Sequence, residues 1–259
     1  MKEIFLNEHK LKIKKLYIKE KYKFPIINSV IDGLQCGKIF TNKLENPKCA
    51  FVLHTFGWSQ IFGEADKQFI EDLKKYIFKL EKFQSIKIRN YTPSFFEIFE
   101  NSNSQLAERC KFKVKGLKSK NLKVGANYEI KKINNLNCKK INDHLNIDLF
   151  TRFWPSEISF NNNSFGFLVE CKGEVVSVCY SCGIYSNIHE IDVFTKVPHR
   201  GKGLAKIVCA NFINYCFQNK LEPNWDCFIN NVGSIELSKS LGYEKILEPY
   251  KFYTYNRNS

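Results

Sequence analysis

The chain has 259 residues, 44% of them hydrophobic and 15% aromatic, with 40 Lys and Arg against 26 Asp and Glu. That is enough for one large or two modest domains, and too apolar for a disordered polypeptide. Charged residues are spread throughout and no apolar run reaches the roughly 18 to 20 residues of a membrane span. The opening Met1-Lys2-Glu3-Ile4-Phe5 also lacks a secretory apolar segment, so a folded cytoplasmic protein is expected.

Residues 1–25 carry eight lysines among irregularly spaced apolar positions, a pattern that suggests a basic amphipathic helix ending at Phe24-Pro25. The apolar run Cys49–Thr55 predicts a buried strand, with Gly57-Trp58 and Gly63 read as punctuating a loop after it. Asp66 is placed to cap a helix over 67–82, whose stripe is Phe69, Leu73, Ile77 and Leu80. Ser85–Arg89 reads as a strand and Pro93 as a helix start. Residues 109–115 alternate basic and apolar, which predicts a half-buried strand with a cationic face.

Residues 116–126 are polar with two glycines and form the expected boundary between a basic N-terminal α/β domain, 1–125, and a second domain, 126–259. Charge breaks there too: residues 1–125 hold 25 Lys and Arg against 13 Asp and Glu, a net +12 of the chain's +14. A basic half suits an anionic partner such as nucleic acid or a membrane surface. A lysine- and asparagine-rich composition would give the same charge with no partner at all.

In the second half, Tyr128–Ile133 reads as a strand and 138–150 as a helix. Ser164–Cys171 and Glu174–Tyr185 form a hairpin about Lys172-Gly173. Strands follow at His189–Thr195 and Trp225–Ile229, helices at Gly203–Asn219 and Gly233–Leu241, and a last strand at Phe252–Tyr255; Pro223 is taken to end a connection. Hairpins followed by strand–helix–strand–helix give a mixed α/β sheet. There is no internal sequence repeat at a fixed period. The ten cysteines are scattered among apolar neighbours, as small core hydrophobes are in a reducing compartment. The sole CxxC, Cys179-Tyr180-Ser181-Cys182, lies in a strand-like run without a second pair or histidines nearby, so no metal is expected.

The informative stretch is Val193-Phe194-Thr195-Lys196-Val197-Pro198-His199-Arg200-Gly201-Lys202-Gly203-Leu204-Ala205, in which a strand runs into a glycine turn that opens a helix. Helix-start amides, two permissive glycines and two cations make an anion site suited to phosphate or pyrophosphate. Gly201-Lys202 is followed by glycine, not Ser or Thr, so this is no Walker loop, and two glycines after antiparallel strands do not make a dinucleotide fingerprint.

Arg200-Gly201-Lys202-Gly203-Leu204-Ala205 matches Arg/Gln-x-x-Gly-x-Gly/Ala, and Asn231-x-x-Ser234 followed by Leu241-Gly242-Tyr243 supplies a second ordered motif. In both, the sequence resembles the GNAT superfamily of N-acetyltransferases, and Glu190-Ile191-Asp192 before Thr195 with Pro223-x-Trp225-Asp226 after the helix resemble a subgroup with an extra N-terminal domain. The resemblance covers roughly 126–259. It implies a mixed sheet split into a V between the strands at 189–195 and 225–229, flanked by helices and preceded by a smaller α/β domain. It implies acetyl-CoA as donor, with the pantetheine arm along Val193, Phe194 and Thr195, the pyrophosphate in the turn Arg200–Ala205, and Asn231 and Ser234 beside the arm. It puts Ser238 where many members carry a Tyr that protonates the departing thiolate; serine is a far weaker acid.

Acetyl transfer to nitrogen needs a neutral amine, and a lysine amine with pKa about 10.4 needs a base at pH 7. Glu190 is the favoured base and His189 the second; alternation puts Glu190 and Asp192 on one strand face and His189 on the other. The expected activity is acetyl transfer to a primary amine by direct attack in a ternary complex. The alternative is a catalytically weak CoA-fold module acting as a nucleic-acid or anionic-surface adaptor through residues 1–125.

Overall fold

A computed structural model of the chain describes residues 1–5, 7–79, 85–89, 104–118, 122–146, 152–246 and 248–256. The helix start expected at Pro93, Leu80 of the predicted stripe, and the end of the helix expected over 138–150 lie outside them. The chain divides into two compact units, Met1–Arg109 with Tyr250–Ser259, and Cys110–Pro249. These bounds differ from the expected 1–125 and 126–259. The reason is one continuous strand, β6 (Ser104–Val114), whose first part pairs with the C-terminal strand β13 (Tyr250–Asn256) and whose second part pairs with β12 (Tyr243–Lys245). A polar linker marks a composition change; here the pairing changes partners inside the strand that precedes it.

The first unit contains β1 (Lys2–Glu3), α1 (Asn7–Ile18), α2 (Pro25–Ile31), β2 (Gly37–Thr41), β3 (Cys49–His54), β4 (Trp58–Gly63), α3 (Lys67–Lys79) and β5 (Ser85–Arg89). Its strand order is β1-β2-β3-β4-β5-β13-β6. In α1, His9, Ile13 and Tyr17 recur every four residues and are buried, while the lysines between them stay at the surface. The basic helix ends at Ile18, short of the expected Phe24-Pro25, and Pro25 opens a second helix. Its fixed φ suits the first turn of α2, all of which is buried. The residues from Gly57-Trp58 to Gly63 are also not a loop: β4 pairs with β3 from Cys49↔Gly63 to Leu53↔Ser59. Gly63 is there because a Cβ at φ +78° would sit 2.3 Å from the Lys48 carbonyl oxygen. Asp66 caps α3, its Oδ1 accepting from the Phe69 amide at 2.8 Å, and Phe69, Leu73 and Ile77 fill the core over Phe51, Ile61 and Ile88. The cationic face expected on β6 is only partly solvated. Arg109 and Lys111 are each 8% exposed, and the Arg109 guanidinium lies over the Trp58 ring at 4.9 Å.

The second unit contains β7 (Tyr128–Lys132), α4 (Cys138–Leu145), α5 (Glu157–Asn163), β8 (Gly166–Cys171), β9 (Glu174–Tyr185), β10 (Ile188–Thr195), α6 (Leu204–Gln218), β11 (Glu222–Phe228) and α7 (Val232–Leu241). The order is β7-β8-β9-β10-β11-β6, with β12 on β6. Lys172 and Gly173 both take positive φ, +51° and +83°, and close the β8–β9 hairpin as a tight turn requires. Pro223 lies within β11, opposite His189, near the strand's start, where a missing amide is tolerated. Helix α6 buries Val208, Phe212 and Cys216 against Phe165 and Trp225. This mixed sheet flanked by helices is the α/β fold that the resemblance implies.

Both units follow one plan. Among the described residues each runs strand, helix, helix, three antiparallel strands, helix, and then a strand parallel to the one before that helix. The parallel pairs are three rungs long in both: Trp58↔Lys87, Ser59↔Ile88 and Gln60↔Arg89 in the first unit, Ile188↔Glu222, His189↔Pro223 and Glu190↔Asn224 in the second. The repeat absent from the sequence at any fixed period is thus present in element order and register.

Candidate active site

The parallel pairing of β10 with β11 ends at Glu190↔Asn224. Beyond it β10 continues through Ile191–Thr195 on β9 alone, so the two strands part and the sheet opens into a V within the second unit. Glu190 stands on the last rung before the fork and is 4% exposed. A β-bulge falls between Glu190 and Ile191, where Glu190 pairs Gly183 and Ile191 pairs Ser181. The skipped residue, Cys182, is on β9, so the alternation along β10 is undisturbed. Glu190, Asp192 and Phe194 therefore share one face, and Ile191 and Val193 pack on the core under α6 from the other.

His189 is on that second face. Its ring packs on Phe165 at 5.1 Å, and Nδ1 lies 3.0 Å from the Ser181 hydroxyl. It lines a cavity of about 500 Å³ with Lys132, Asn134, Asn163 and Tyr215, away from the Glu190 face. Burial holds its pKa down at about 4. The two base candidates, neighbours in sequence, look into different spaces.

At the far end of β10 the chain turns into α6. A single 3₁₀ turn, Val197–His199, leads to extended Arg200, then Gly201 at φ +73° and Gly203 at φ +77° as the helix N-cap. The first intrahelical bond runs from the Ile207 amide to the Gly203 carbonyl at 3.1 Å, so the amides of Leu204, Ala205 and Lys206 precede the helix's own hydrogen bonding. A Cβ at Gly201 or Gly203 would meet nothing within 4 Å; these glycines supply backbone conformation and an open approach. Arg200 Nε donates to the Thr195 carbonyl at 3.0 Å, which ties the turn to the strand and leaves its exposed guanidinium edge outward, beside exposed Lys202. The Lys196 ammonium is paired with Glu174, whose carboxyl it holds below the usual range. A pyrophosphate fits this donor set: backbone amides, a positive helix end and two cations around open space.

The sequence signals miss Tyr128, whose hydroxyl lies 3.3 Å from His199 Nδ1 on the flank of the turn, 71 residues away along the chain. They also miss Tyr180 and Arg152. Tyr180, opposite Asp192 on β9, donates its hydroxyl to Asp192 Oδ2 at 2.8 Å, and burial beside that carboxylate raises its pKa well above the ordinary value.

The second motif lies on α7. Asn231 is the helix N-cap, its Oδ1 accepting from the Ser234 amide at 3.1 Å, while Ser234 Oγ accepts from Trp225 Nε1 at 3.1 Å. Both side chains are thus engaged in fixing the start of α7 beside β11. Ser238 is 0% exposed and donates to the Ile235 carbonyl at 2.7 Å. The hydroxyl is thus engaged within its own helix, α7. Cys179, Cys182, Cys209, Cys216 and Cys227 are buried and unbridged, and burial pushes the Cys216 thiol up to about 12.

A family model described as GNAT acetyltransferase matches residues 15–253, across both units. The chain belongs to that family and so to the acyltransferases. Over 105 residues it is 37% identical to the uncharacterized N-acetyltransferase YdfB of Bacillus subtilis (strain 168), a match spanning 40% of each protein. A GCN5-related N-acetyltransferase-like protein from Streptococcus suis 89/1591 superposes with TM-score 0.74 at 22% identity, over 95% of this chain and 98% of that one. A tandem GNAT protein from the clavulanic acid biosynthesis pathway superposes with TM-score 0.66 at 8% identity, over 100% of this chain and 99% of that one. At these identities the structural neighbours speak for the fold. Among the described residues no helix is long and apolar enough to cross a membrane.

Proposed function

We propose that the protein is an acetyl-CoA-dependent N-acetyltransferase whose second unit binds the donor and whose acceptor is a primary amine. The observation that carries this is the pairing of two features on one strand: a carboxylate, Glu190, at the fork of the V, and the Arg200–Ala205 anion turn at the strand's far end. Strand rise is about 3.3 Å per residue, so Glu190 and Thr195 are on the order of 17 Å apart. That span suits a donor with a polyphosphate at one end and a thioester at the other. Val193, Phe194 and Thr195 line the stretch between them, and an unpaired strand edge accepts an extended amide chain as an added strand would.

In this reading Glu190 takes a proton from the incoming ammonium, and the neutral amine attacks the thioester carbonyl. The backbone amide of Val193 is assigned to the developing oxyanion. The C–N bond forms, the C–S bond breaks, and the second proton shed by the nitrogen goes to the departing thiolate, which leaves without an acid from Ser238. A free thiol has a pKa of about 8.5, so the anion is an acceptable leaving group near neutrality. Direct attack requires both substrates bound together.

Initial-velocity patterns test this. Intersecting lines with acetyl-CoA and amine varied, and no acetylated protein by mass spectrometry, are expected. Parallel lines with an acetylated cysteine, Cys227 above all, would replace direct attack with a covalent relay. The adaptor alternative has no comparable support. The buried Arg109 and Lys111 reduce the cationic face it would use.

A further inference from the structure

The face of β10 that carries Glu190 also carries Asp192, and a cation, Arg152, stands beside it. Arg152 Nη1 is 3.8 Å from Asp192 Oδ2, whose hydrogen bond at 2.8 Å comes from the Tyr180 hydroxyl. Arg152 and Asp192 form an ion pair, and the Arg152 side chain is 36% exposed, so its guanidinium can be reached from solvent. Its guanidinium lies over the Phe153 ring at 5.2 Å, and that ring is 6.3 Å from the Tyr180 ring. Aromatic side chains therefore support a guanidinium two strand positions beyond Glu190.

Those two positions are about 7 Å along the strand. An α-amino carboxylate held by a hydrogen bond at each end, each about 2.9 Å, spans on the order of 9 Å from a base oxygen to a guanidinium nitrogen. The strand spacing is of the same order as that span. The Glu190 carboxylate favours an ammonium, and guanidinium is the side chain that grips a carboxylate with two parallel bonds. We propose that the acceptor is an amino acid or similar amine bearing a carboxylate, with Arg152 as the residue that selects the carboxylate end. The inference rests on the acetyltransferase reading above and deepens it.

The experiment compares matched acceptors that differ only in the carboxylate: L-phenylalanine with phenethylamine, L-leucine with 3-methylbutylamine, and L-lysine with cadaverine. kcat/KM is read from the N-acetylated product, quantified by mass spectrometry. The wild-type ratio alone does not decide, because the carboxylate lowers the amine's own pKa. The change in ratio on mutation does, since that effect cancels. For at least one pair, Arg152→Gln should lower the acid-to-amine ratio roughly 10- to 100-fold, the range for losing charge-assisted hydrogen bonds. Arg152→Lys, which keeps the charge and loses the fork, should fall between. Acetyl-CoA affinity and the thermal midpoint, measured in parallel, check that both variants are folded. An unaltered ratio in both folded variants overturns the proposal. Turnover of the decarboxylated amines alone also overturns it while leaving the acetyltransferase reading intact. Acetyl-CoA binding with no amine turned over sinks that reading, and this inference with it.

Discussion

Gly203 offers a sharp test of the anion turn, because its substitution has a single physical consequence. At φ +77° it is in the left-handed region, and a Cβ there would meet nothing within 4 Å, so alanine introduces backbone strain and no clash. Left-handed conformation costs a non-glycine residue about 1–2 kcal/mol. The strain has two outlets. If the turn keeps its shape, the folded protein loses that stability. If the turn relaxes, the helix-start amides swing away and acetyl-CoA binding weakens instead, by about 5- to 30-fold for the same energy. Calorimetric titration with acetyl-CoA and urea denaturation of the same Gly203→Ala sample should together recover roughly 1–2 kcal/mol, and Gly203→Asn should lose less, since Asn visits this region more readily. An alanine variant with wild-type affinity and wild-type stability would refute the role assigned to the turn.

Three further outcomes are expected. The first unit repeats the three-rung parallel pair, but Gln60 stands on the rung matching Glu190, its carboxamide engaged by the Tyr17 hydroxyl at 2.9 Å and the Tyr22 carbonyl at 3.1 Å, and the helix that follows is capped by its own Asp66. Titration should therefore give one acetyl-CoA per chain; two equivalents would contradict that reading. His189, whose pKa burial lowers to about 4, is neutral when folded and protonates near 6.5 when unfolded, so its contribution is complete above pH 6.5 and lost as pH falls through 4. Urea denaturation should show about 3 kcal/mol of stability disappearing across that window, with a flatter profile in His189→Gln; parallel profiles would remove His189 as the cause. Asn231→Ala removes the α7 cap and should cost about 0.5–2 kcal/mol by chemical denaturation, whereas a loss in acetyl-CoA affinity at unchanged stability would return Asn231 to the cofactor arm.

What the sequence discloses follows from how local each signal is. The turn Lys196–Ala205 and the Lys172-Gly173 hairpin are contiguous, and their glycines take the positive φ that their positions demand. The stripe of α3 and its Asp66 cap are legible for the same reason. Gly57 and Gly63 mislead because glycine marks both loops and close strand contacts, and only the Lys48 carbonyl decides which. The exchange of β6 and β13 depends on pairings between residues about 140 positions apart, such as Tyr250↔Arg109, for which no nearby residue gives notice. The duplicated plan is hidden because register, not residue identity, is what the two units share. At the site, alternation separates Glu190 from His189 correctly, since the bulge lies on β9. It gives no hint of Arg152, which reaches Asp192 from a segment 40 residues away.

The account stands most directly on acetyl transfer with Glu190 as the base. Thioester consumption should be followed against pH from about 6 to 10, with a reactive amine and saturating acetyl-CoA, for wild type and Glu190→Gln. Wild type should turn over at pH 7 with one N-acetyl product per thioester lost. The variant should be slow at pH 7 and recover toward pH 10 as the amine loses its proton unaided, with acetyl-CoA binding retained. A folded, acetyl-CoA-binding wild type that consumes no thioester with any amine, or a variant indistinguishable from wild type at pH 7, would contradict it.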